Sequence, residues 1–243
     1  MEITVYKIPF SKIFLLKDIF GEKGFKGPYT RVLIKPNICG FYPPSHLLMK
    51  TVVEYFSELS EKVVLVETES TMHKPMSRFR ELGYIELFKD NPRVKFLDLT
   101  NFDVVKVSVP EGRALRKIPV SRIVFESFLV NVARAGTHPS TRVTIALKNL
   151  FGLVSAKHKY LRYHPLGMDK VVADIAKVIK PALNIVEVPG SVLISEDALA
   201  VDIVASGEIG IDPFEVKHFH YVAEDKGLSL KDYVEAVKVI VFK

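Results

Sequence analysis

The stretch FLVNVAR at residues 128–134 decides the fold class, because its apolar residues are almost consecutive rather than alternating. A strand with one face in water alternates apolar and polar residues, whereas a strand of a parallel sheet is covered on both faces. VVLVE at 63–67 has the same pattern. Other short apolar runs are ITVYKI at 3–8, VLIK at 32–35, VKFLDL at 94–99, NIVEV at 184–188 and VKVIVF at 237–242. Together the runs predict the strands of one mostly parallel sheet.

Segments with helical periodicity lie between these runs. Ser45 is a suitable N-cap for a helix over 46–59, whose apolar residues recur on one face. A second helix is predicted from Asp197 to Ile209, and a third begins at Asp212–Pro213 and continues to about residue 223. Strands that alternate with helices predict an α/β fold, with a mostly parallel central sheet flanked by helices in a Rossmann-like three-layer arrangement.

Residues 100–125 have a different pattern. VVKVSV and LRKIPV are strand-like and are separated by the turn residues Pro-Glu-Gly at 110–112. This region is predicted to be a small β-hairpin-like insertion or an edge feature of the sheet. The chain has no internal repeat and no linker, so residues 1–243 are predicted to form a single α/β domain.

Composition restricts the class of protein. The chain is 48% apolar and 26% charged, and no apolar run approaches the roughly 20 residues that a membrane-spanning helix needs. The first residues, MEITVYKIPF, alternate as a strand and do not resemble a signal peptide. These features predict a cytoplasmic protein. The absence of glutamine and tryptophan, beside many lysines and glutamates, is typical of thermophilic proteins.

The motifs of several cofactor and metal sites are missing. Cys39 is the single cysteine, so a disulfide within the chain and a four-cysteine metal centre are excluded. His218 and His220 are two apart in a predicted helix, where their side chains point to nearly opposite faces, so no metal site is predicted. Neither a GxGxxG nor a phosphate-loop sequence occurs, and no cofactor is identified.

Residues 127–168 contain no aspartate and no glutamate, although they contain six lysines and arginines and three of the seven histidines. The six cations equal the net charge of the whole chain, +6, so the remaining sequence is balanced. Cations without local carboxylates favour an anionic partner. We therefore expect the ligand to contact this stretch.

Polar residues follow three of the predicted strands. Lys35 and Asn37 lie at the end of the first strand, Glu67 ends the second, and Thr137 and His138 follow the third. Ligands of open α/β sheets bind beyond the carboxyl ends of the strands, so these side chains are expected to share one site. The alternative is that they are merely solvated, as residues at strand ends often are.

After His138 the sequence PSTRVTIALKNLFG is predicted to form a loop and a short helix, with Ser140 or Thr141 as its N-cap. The N-terminus of such a helix favours a phosphate or a carboxylate. Thr144 and Lys148 are four residues apart and would lie on the same face of the helix. A solvated cationic face is the alternative interpretation.

Residues 157–164 form a basic run with interleaved aromatic residues, KHKYLRYH. Such a pattern could contact single-stranded RNA, since aromatic rings stack on bases and cations neutralise phosphates. No recognisable nucleic-acid-binding module accompanies it.

Four segments of the chain resemble the family catalogued as domain of unknown function 362. They are VLIKPN at 32–37, VETES at 66–70, NVARAGTHPSTRVTIALKNLFGLVSAKHK at 131–159 and SEDALAVDIVASGEIGIDP at 195–213. The resemblance implies an α/β protein without a settled general activity, and the ferredoxin-like cysteines of some members are absent here. Its family-like positions are Lys35, Pro36, Asn37, Glu67, Thr137, His138, Thr144, Lys148, Asn149, His164 and Asp202.

Two positions depart from the family pattern. Ala135–Gly136 stands where a lysine usually precedes the Thr-His pair, and the late glycine-rich stretch is shortened to VPGSV at 188–192. Both lie near the predicted site, so they indicate a divergent ligand or a lost activity.

We therefore expect a cationic cleft that binds a small anionic metabolite, with an enzymatic role left open. Lys35, Lys148 and the helix start near Ser140 would hold the anion, and His138 and Glu67 would act as an acid/base pair. The other predicted ligand-binding residues are Asn37, Thr141, Thr144, Asn149, His164 and Asp202. RNA binding through 157–164 and a non-catalytic interaction protein are the alternatives. The sequence does not indicate the oligomeric state.

Overall fold

A computed structural model describes residues 2–242. Twelve strands are present in this part of the chain: β1 Ile3–Pro9, β2 Tyr29–Pro36, β3 Ser60–Glu67, β4 Val94–Asp98, β5 Val104–Ser108, β6 Lys117–Ser121, β7 Phe128–Arg134, β8 Gly136–His138, β9 Arg142–Thr144, β10 Leu183–Val188, β11 Ser191–Ser195 and β12 Val237–Val241. The α-helices are α1 Leu16–Glu22, α2 His46–Leu59, α3 Pro75–Glu81, α4 Tyr84–Leu87, α5 Ala146–Asn149, α6 Lys159–Tyr163, α7 Met168–Val178, α8 Ala198–Glu208, α9 Lys217–Asp225 and α10 Leu230–Ala236.

Eight strands form the central sheet, in the order β12-β1-β11-β10-β7-β2-β3-β4. All neighbours are parallel except β11, which is antiparallel to both β1 and β10. The predicted α/β fold with a mostly parallel sheet is confirmed. Each apolar run named above corresponds to a strand. Strand β11 was not predicted, because it returns directly after β10 through the short turn Pro189–Gly190.

Helices cover both faces of the sheet. Side chains of one strand alternate between two cores: Leu33 packs in the core shared with α7, α8 and α9, while Val32 and Ile34 pack in the core shared with α1 and α2. Helix α2 shows why its segment is helical. The Ser45 hydroxyl accepts a hydrogen bond from Leu48 N at the first turn, and the apolar face of α2 is buried. The three-layer arrangement follows from these two buried faces.

The predicted insertion is a two-stranded sheet in which β5 and β6 pair antiparallel. The loop between its strands is attached to α7, because the buried carboxylate of Asp174 accepts hydrogen bonds from the backbone N–H groups of Arg113, Ala114 and Leu115. The helix predicted to start at Asp212–Pro213 is interrupted: a 3-10 turn at Pro213–Glu215 precedes α9. None of the helices within residues 2–242 has the length and apolarity to cross a membrane.

Candidate functional site

A cleft of about 430 Å³ opens at the carboxyl ends of β2, β3 and β7. Parallel strands bring their ends to one edge of the sheet, and the chain after β7 closes the cleft from the side. Most of the predicted site residues line it: Lys35, Asn37, Glu67, His138, Ser140, Thr144, Lys148, Asn149 and His164. Residues distant in the sequence are thus brought into one site.

Lys35 lies at the bottom of the cleft and is only 1% exposed. Its ammonium group donates to Glu67 Oε2 at 2.9 Å, to Asn149 Oδ1 at 2.6 Å and to the Pro36 carbonyl at 2.9 Å. An ammonium group has three N–H donors, so all the donors of Lys35 are satisfied. We call Lys35, Glu67 and Asn149 the cleft floor. It is a closed ion-pair network rather than an open anion site.

The other atoms of the cleft floor are engaged as well. Glu67 Oε1 accepts a hydrogen bond from Thr68 N at 3.0 Å. Asn149 Nδ2 donates to Asn131 Oδ1 at 2.8 Å, and Asn131 Nδ2 donates to Asn184 Oδ1 at 2.9 Å. These three buried amides form a chain that fixes the orientation of Asn149. Asn131 is the single polar residue inside the apolar FLVNVAR strand, and this chain explains its presence there.

Gly152 lies against the cleft floor. A Cβ atom at this position would contact Glu67 Oε1 and Lys35 Cε and would lie 2.6 Å from Lys35 Nζ. No side chain fits there without displacing the ion pair. The glycine therefore permits the backbone after α5 to close over Lys35 and Glu67.

The side of the cleft is formed by Lys148, Lys159, His138 and His164, which we call the cleft wall. Lys159 is 5% exposed, and its ammonium group donates to the Thr68 hydroxyl and to the Phe151 carbonyl. In the described part of the chain the Lys148 ammonium group donates no hydrogen bond, and no carboxylate lies within 4.0 Å of it. The cleft wall therefore contains a cation without a counter-charge.

The two wall lysines have unusual pKa values. Burial, together with the positive charges of Lys159 and Lys35, lowers the pKa of Lys148 to about 8. Burial also lowers the pKa of Lys159 to about 8, although Glu67 opposes this effect. Desolvation and nearby like charges both disfavour an ammonium ion. An anion bound between these groups would reverse part of that effect.

His138 is a neutral imidazole near pH 7, because burial and the charge of Lys148 lower its pKa to about 4. Its Nδ1 atom accepts a hydrogen bond from Ser140 N at 3.2 Å, which assigns the ring proton to Nε2. The pKa of His164 is lowered too, by burial and by Lys148. No hydrogen bond joins His138 to Glu67 within residues 2–242, so their action as an acid/base pair stays a prediction.

The helix predicted to start at Ser140 or Thr141 is not there. Instead β8 and β9 form a hairpin whose turn holds Ser140, and the helical turn α5 begins only at Ala146. The carboxylate of Asp202, from α8, already accepts hydrogen bonds from Ala146 N and Leu147 N. The predicted start of the helix is therefore wrong, and the first N–H groups of α5 are already bonded to the protein's own Asp202.

Two of the predicted ligand-binding residues lie outside the cleft. Asp202 is fully buried beneath α5, and Thr141 is buried in the hairpin turn, where its hydroxyl donates to the Val143 carbonyl. Thr144 lines the cleft from β9 rather than from a shared helix face with Lys148. Both side chains make hydrogen bonds within the protein, and ligand binding by Asp202 and Thr141 stays a prediction.

Four of the six cations in residues 127–168, which contain no aspartate or glutamate, do not line the cleft. Arg134 and Arg142 pair with Glu187 and Glu215, which come from elsewhere in the chain. Lys157 and Arg162 are exposed. Lys148 and Lys159 remain, and both line the cleft.

The basic run at 157–164 is divided by helix α6. Lys159, Tyr160 and His164 line the cleft, and the rings of Tyr160 and His164 lie 4.0 Å apart. The run therefore contributes to the cleft wall as well as to the surface. An RNA contact through it stays a prediction.

Sequence reasoning missed Lys159 and Cys39 as cleft residues, and it missed one property of the predicted residue Asn37. Lys159 was visible as part of the acid-free stretch, but no local pattern distinguished it from Lys157. Asn37 lines the cleft, and its Nδ2 atom is buried without a hydrogen-bond partner among the described residues. Cys39 also lines the cleft, where burial and the charge of Glu67 raise its pKa to about 12, so the thiol is protonated. Residues 2–242 contain no group of three histidine, cysteine or carboxylate side chains that could hold a metal ion.

Comparisons with known proteins identify a family and a distant structural similarity. A family model described as domain of unknown function (DUF362) matches residues 32–188, which include all residues of the cleft floor and the cleft wall. None of the curated proteins matches the chain. A solved structure of the lactate racemase apoprotein from Thermoanaerobacterium thermosaccharolyticum is similar at 12% identity, with a TM-score of 0.47. The match covers 82% of this chain and 55% of that chain, so this chain spans about half the length of that protein.

Proposed function

The chain belongs to the family of domain of unknown function 362, and we propose that its cleft binds a small organic anion. The observation that carries the proposal is the ammonium group of Lys148, which lines the cleft without a counter-charge in residues 2–242. A partly buried charge without a partner costs free energy in the unliganded protein. In a binding site this cost is offset when the ligand supplies the opposite charge.

The balance of charges supports an anion. Lys35, Lys148 and Lys159 all line the cleft, whereas Glu67 is its single carboxylate within the described chain. Glu67 is already paired with Lys35. Opposite charges a few ångströms apart attract strongly where water is excluded. A carboxylate or a phosphate group of the ligand would therefore be held by Lys148 and Lys159.

Neutral donors supplement the lysines. Asn37 Nδ2 is buried and has no hydrogen-bond partner among the described residues. His138 carries its ring proton on Nε2, because Nδ1 accepts a hydrogen bond from Ser140 N. Both groups line the cleft. Hydrogen bonds from neutral donors to an anion stabilise it and fix its orientation. In this proposal His138 donates a hydrogen bond to the ligand. Glu67 is a poor proton acceptor for the ligand, because its oxygens already accept hydrogen bonds from Lys35 and Thr68.

The mouth of the cleft favours an organic ligand over inorganic phosphate. Phe41 and Met72 line it and are 82% and 72% exposed, and the ring of Tyr160 is exposed beside them. Ligand sites generally combine apolar lining with a few polar groups that fix orientation. We expect the charged end of the ligand at the lysines and its carbon-rich end near these three residues.

A thermal-shift assay tests the proposal. Pyruvate, phenylpyruvate, glycerol phosphate and inorganic phosphate would be added at low ionic strength to the wild type, to Lys148→Ala and to Lys157→Ala. A ligand at 100 times its Kd stabilises the native state by about 2.7 kcal/mol, which is a readily measured rise in Tm. We expect this rise for an organic anion in the wild type and in Lys157→Ala, and its loss in Lys148→Ala.

Lys157 is the matched control because it is an exposed lysine of the same stretch, outside the cleft. Equal shifts in all three proteins would show that the anion binds elsewhere. No shift with any anion would contradict the proposal itself.

A further inference from the structure

The three lysines of the cleft differ in how their ammonium groups are bonded. Lys35 donates to three acceptors, and Lys159 donates to two. Lys148 donates to none within residues 2–242. A saturated ammonium group is held in its protonated form and cannot present a lone pair. Lys148 is therefore the lysine whose nitrogen is available to react.

The surroundings of Lys148 favour the free amine. The charged groups near Lys148 are Lys159 and Lys35. The neighbouring His138 and His164 line the same cleft. A lysine that is desolvated beside another cation is a known way to obtain a nucleophilic amine near neutral pH. With a pKa of about 8, roughly a tenth of the Lys148 side chains are unprotonated at pH 7. For an ordinary lysine the fraction is below a thousandth.

We propose that Lys148 forms an imine with the carbonyl carbon of an oxo acid that binds in the cleft. The inference rests on the proposed function and names its ligand class. The carboxylate of the oxo acid takes the place of the missing counter-charge, next to Lys159 and Asn37. The carbonyl carbon of an oxo acid is adjacent or close to its carboxylate, so in this proposal it is presented to the Lys148 amine, which lines the same cleft of about 430 Å³.

The chemistry of the step balances without a further reactant. The lone pair of the Lys148 nitrogen attacks the carbonyl carbon, and a carbon–nitrogen bond forms. The carbon–oxygen bond then breaks, and the oxygen leaves as water with the two hydrogens of the amine. No group is oxidised or reduced. The step requires a lysine nitrogen that is not held by hydrogen bonds, and Lys148 alone among the three cleft lysines donates none within residues 2–242.

The neighbouring groups fit this ligand. His138 presents an Nε2–H donor, which suits an oxygen atom of the substrate, and Lys35 is held away from reaction by Glu67 and Asn149. The exposed rings of Phe41 and Tyr160 at the mouth suit a substituent on the oxo acid. A ligand without a carbonyl group would bind as an anion but would leave the amine unreacted.

Reductive trapping tests the inference. The full-length protein is incubated with pyruvate or phenylpyruvate and cyanoborohydride, which reduces an imine to a stable secondary amine, and the modified residue is located by peptide mass spectrometry. We expect modification of Lys148 in the wild type well before that of exposed Lys157. The rate should rise about tenfold between pH 6 and pH 7, as the free amine does.

Two controls use the same assay. Lactate and phenyllactate have a hydroxyl in place of the carbonyl and should protect Lys148 without modifying it. Lys148→Arg keeps the positive charge and should lose the modification while it retains a thermal shift with these acids. Because the site is mapped on the wild type, the result does not depend on the variant folding.

The outcomes separate the two proposals. If oxo acids and hydroxy acids stabilise the protein but no adduct forms, or if Lys148 and Lys157 react equally, imine formation is wrong and anion binding stands. If none of these acids stabilises the protein and no adduct forms, both proposals fail.

Discussion

The cleft floor and the cleft wall contain similar residues but differ in how those residues are bonded. In the floor, Lys35, Glu67 and Asn149 satisfy one another and are almost inaccessible to solvent. In the wall, Lys148 has no partner within the described residues. The comparison shows that a polar residue in a cleft can either be saturated by the protein's own contacts or be left without any. Only the pattern of contacts separates the two cases.

The difference has an energetic consequence. Removing one partner of a buried ion pair leaves an uncompensated charge and is strongly destabilising. Removing an unpartnered charge relieves a cost instead. Substitutions of Glu67 in the floor and of Lys148 in the wall should therefore change stability in opposite directions.

The largest effect is expected for Glu67→Gln. The amide has nearly the shape of the carboxylate, but it leaves the buried ammonium group of Lys35 without a counter-charge. We expect a loss of about 3–5 kcal/mol in the free energy of unfolding, measured by urea denaturation. Glu86→Gln is the control, since the ion pair of Glu86 with Lys89 is exposed and should contribute less than about 1 kcal/mol. Equal effects of the two substitutions would contradict the assignment of Glu67 to a closed floor.

A smaller loss is expected for Gly152→Ala. The added Cβ would contact Glu67 and Lys35 and force the floor apart, at a cost of about 1–3 kcal/mol. Gly207→Ala in α8 is the matched control, because no atom lies within 4 Å of its Cβ position. That substitution should stabilise the protein by about 0.5–1 kcal/mol through helix propensity. If both glycines tolerate alanine equally in a denaturation experiment, the floor is not closely packed.

In the wall, Lys148→Met should increase stability at pH 7 by about 1–2 kcal/mol, because it removes a partly buried cation and keeps the apolar stem. The pH dependence has a defined sign. The pKa of Lys148 is about 8 in the folded protein and near 10.5 when unfolded, so between these values the unfolded chain binds more protons. The contribution of Lys148 to stability therefore becomes less unfavourable as the pH rises across that window.

The advantage of Lys148→Met over the wild type should accordingly be constant below pH 8 and shrink from about pH 8 to pH 10.5. Urea denaturation of both proteins at several pH values measures it. A variant that is less stable than the wild type at pH 7 would show that Lys148 has a stabilising partner.

Much of the fold could be predicted because burial leaves a direct trace in sequence. Strands covered on both faces are continuously apolar, and so β3 and β7 were identifiable at once. Strand β11 is equally apolar but follows β10 after a two-residue turn, where the pattern of strand, helix and strand does not apply. Its antiparallel direction depends on tertiary pairing, which a single sequence does not reveal.

The sequence predicted many of the residues that line the site, but not which of them bond to one another. The rule for strand ends brought Lys35, Glu67 and His138 together correctly. It could not show that Lys35 and Glu67 neutralise each other, since they are 32 residues apart. The start of α5 was misjudged for the same reason: its cap is Asp202, 56 residues beyond Ala146. Partners that decide a residue's role come from distant segments.

The central claim is that the cleft wall holds a cation without a counter-charge, and the titration of Lys148 tests it most directly. In protein labelled with ¹³C at lysine Cε, the signal of Lys148 would be assigned by its loss in Lys148→Met and followed by NMR from pH 6 to pH 11. We expect its midpoint near pH 8, well below that of an ordinary lysine. A midpoint at or above about 10.4, as for a solvated or ion-paired lysine, would contradict the claim.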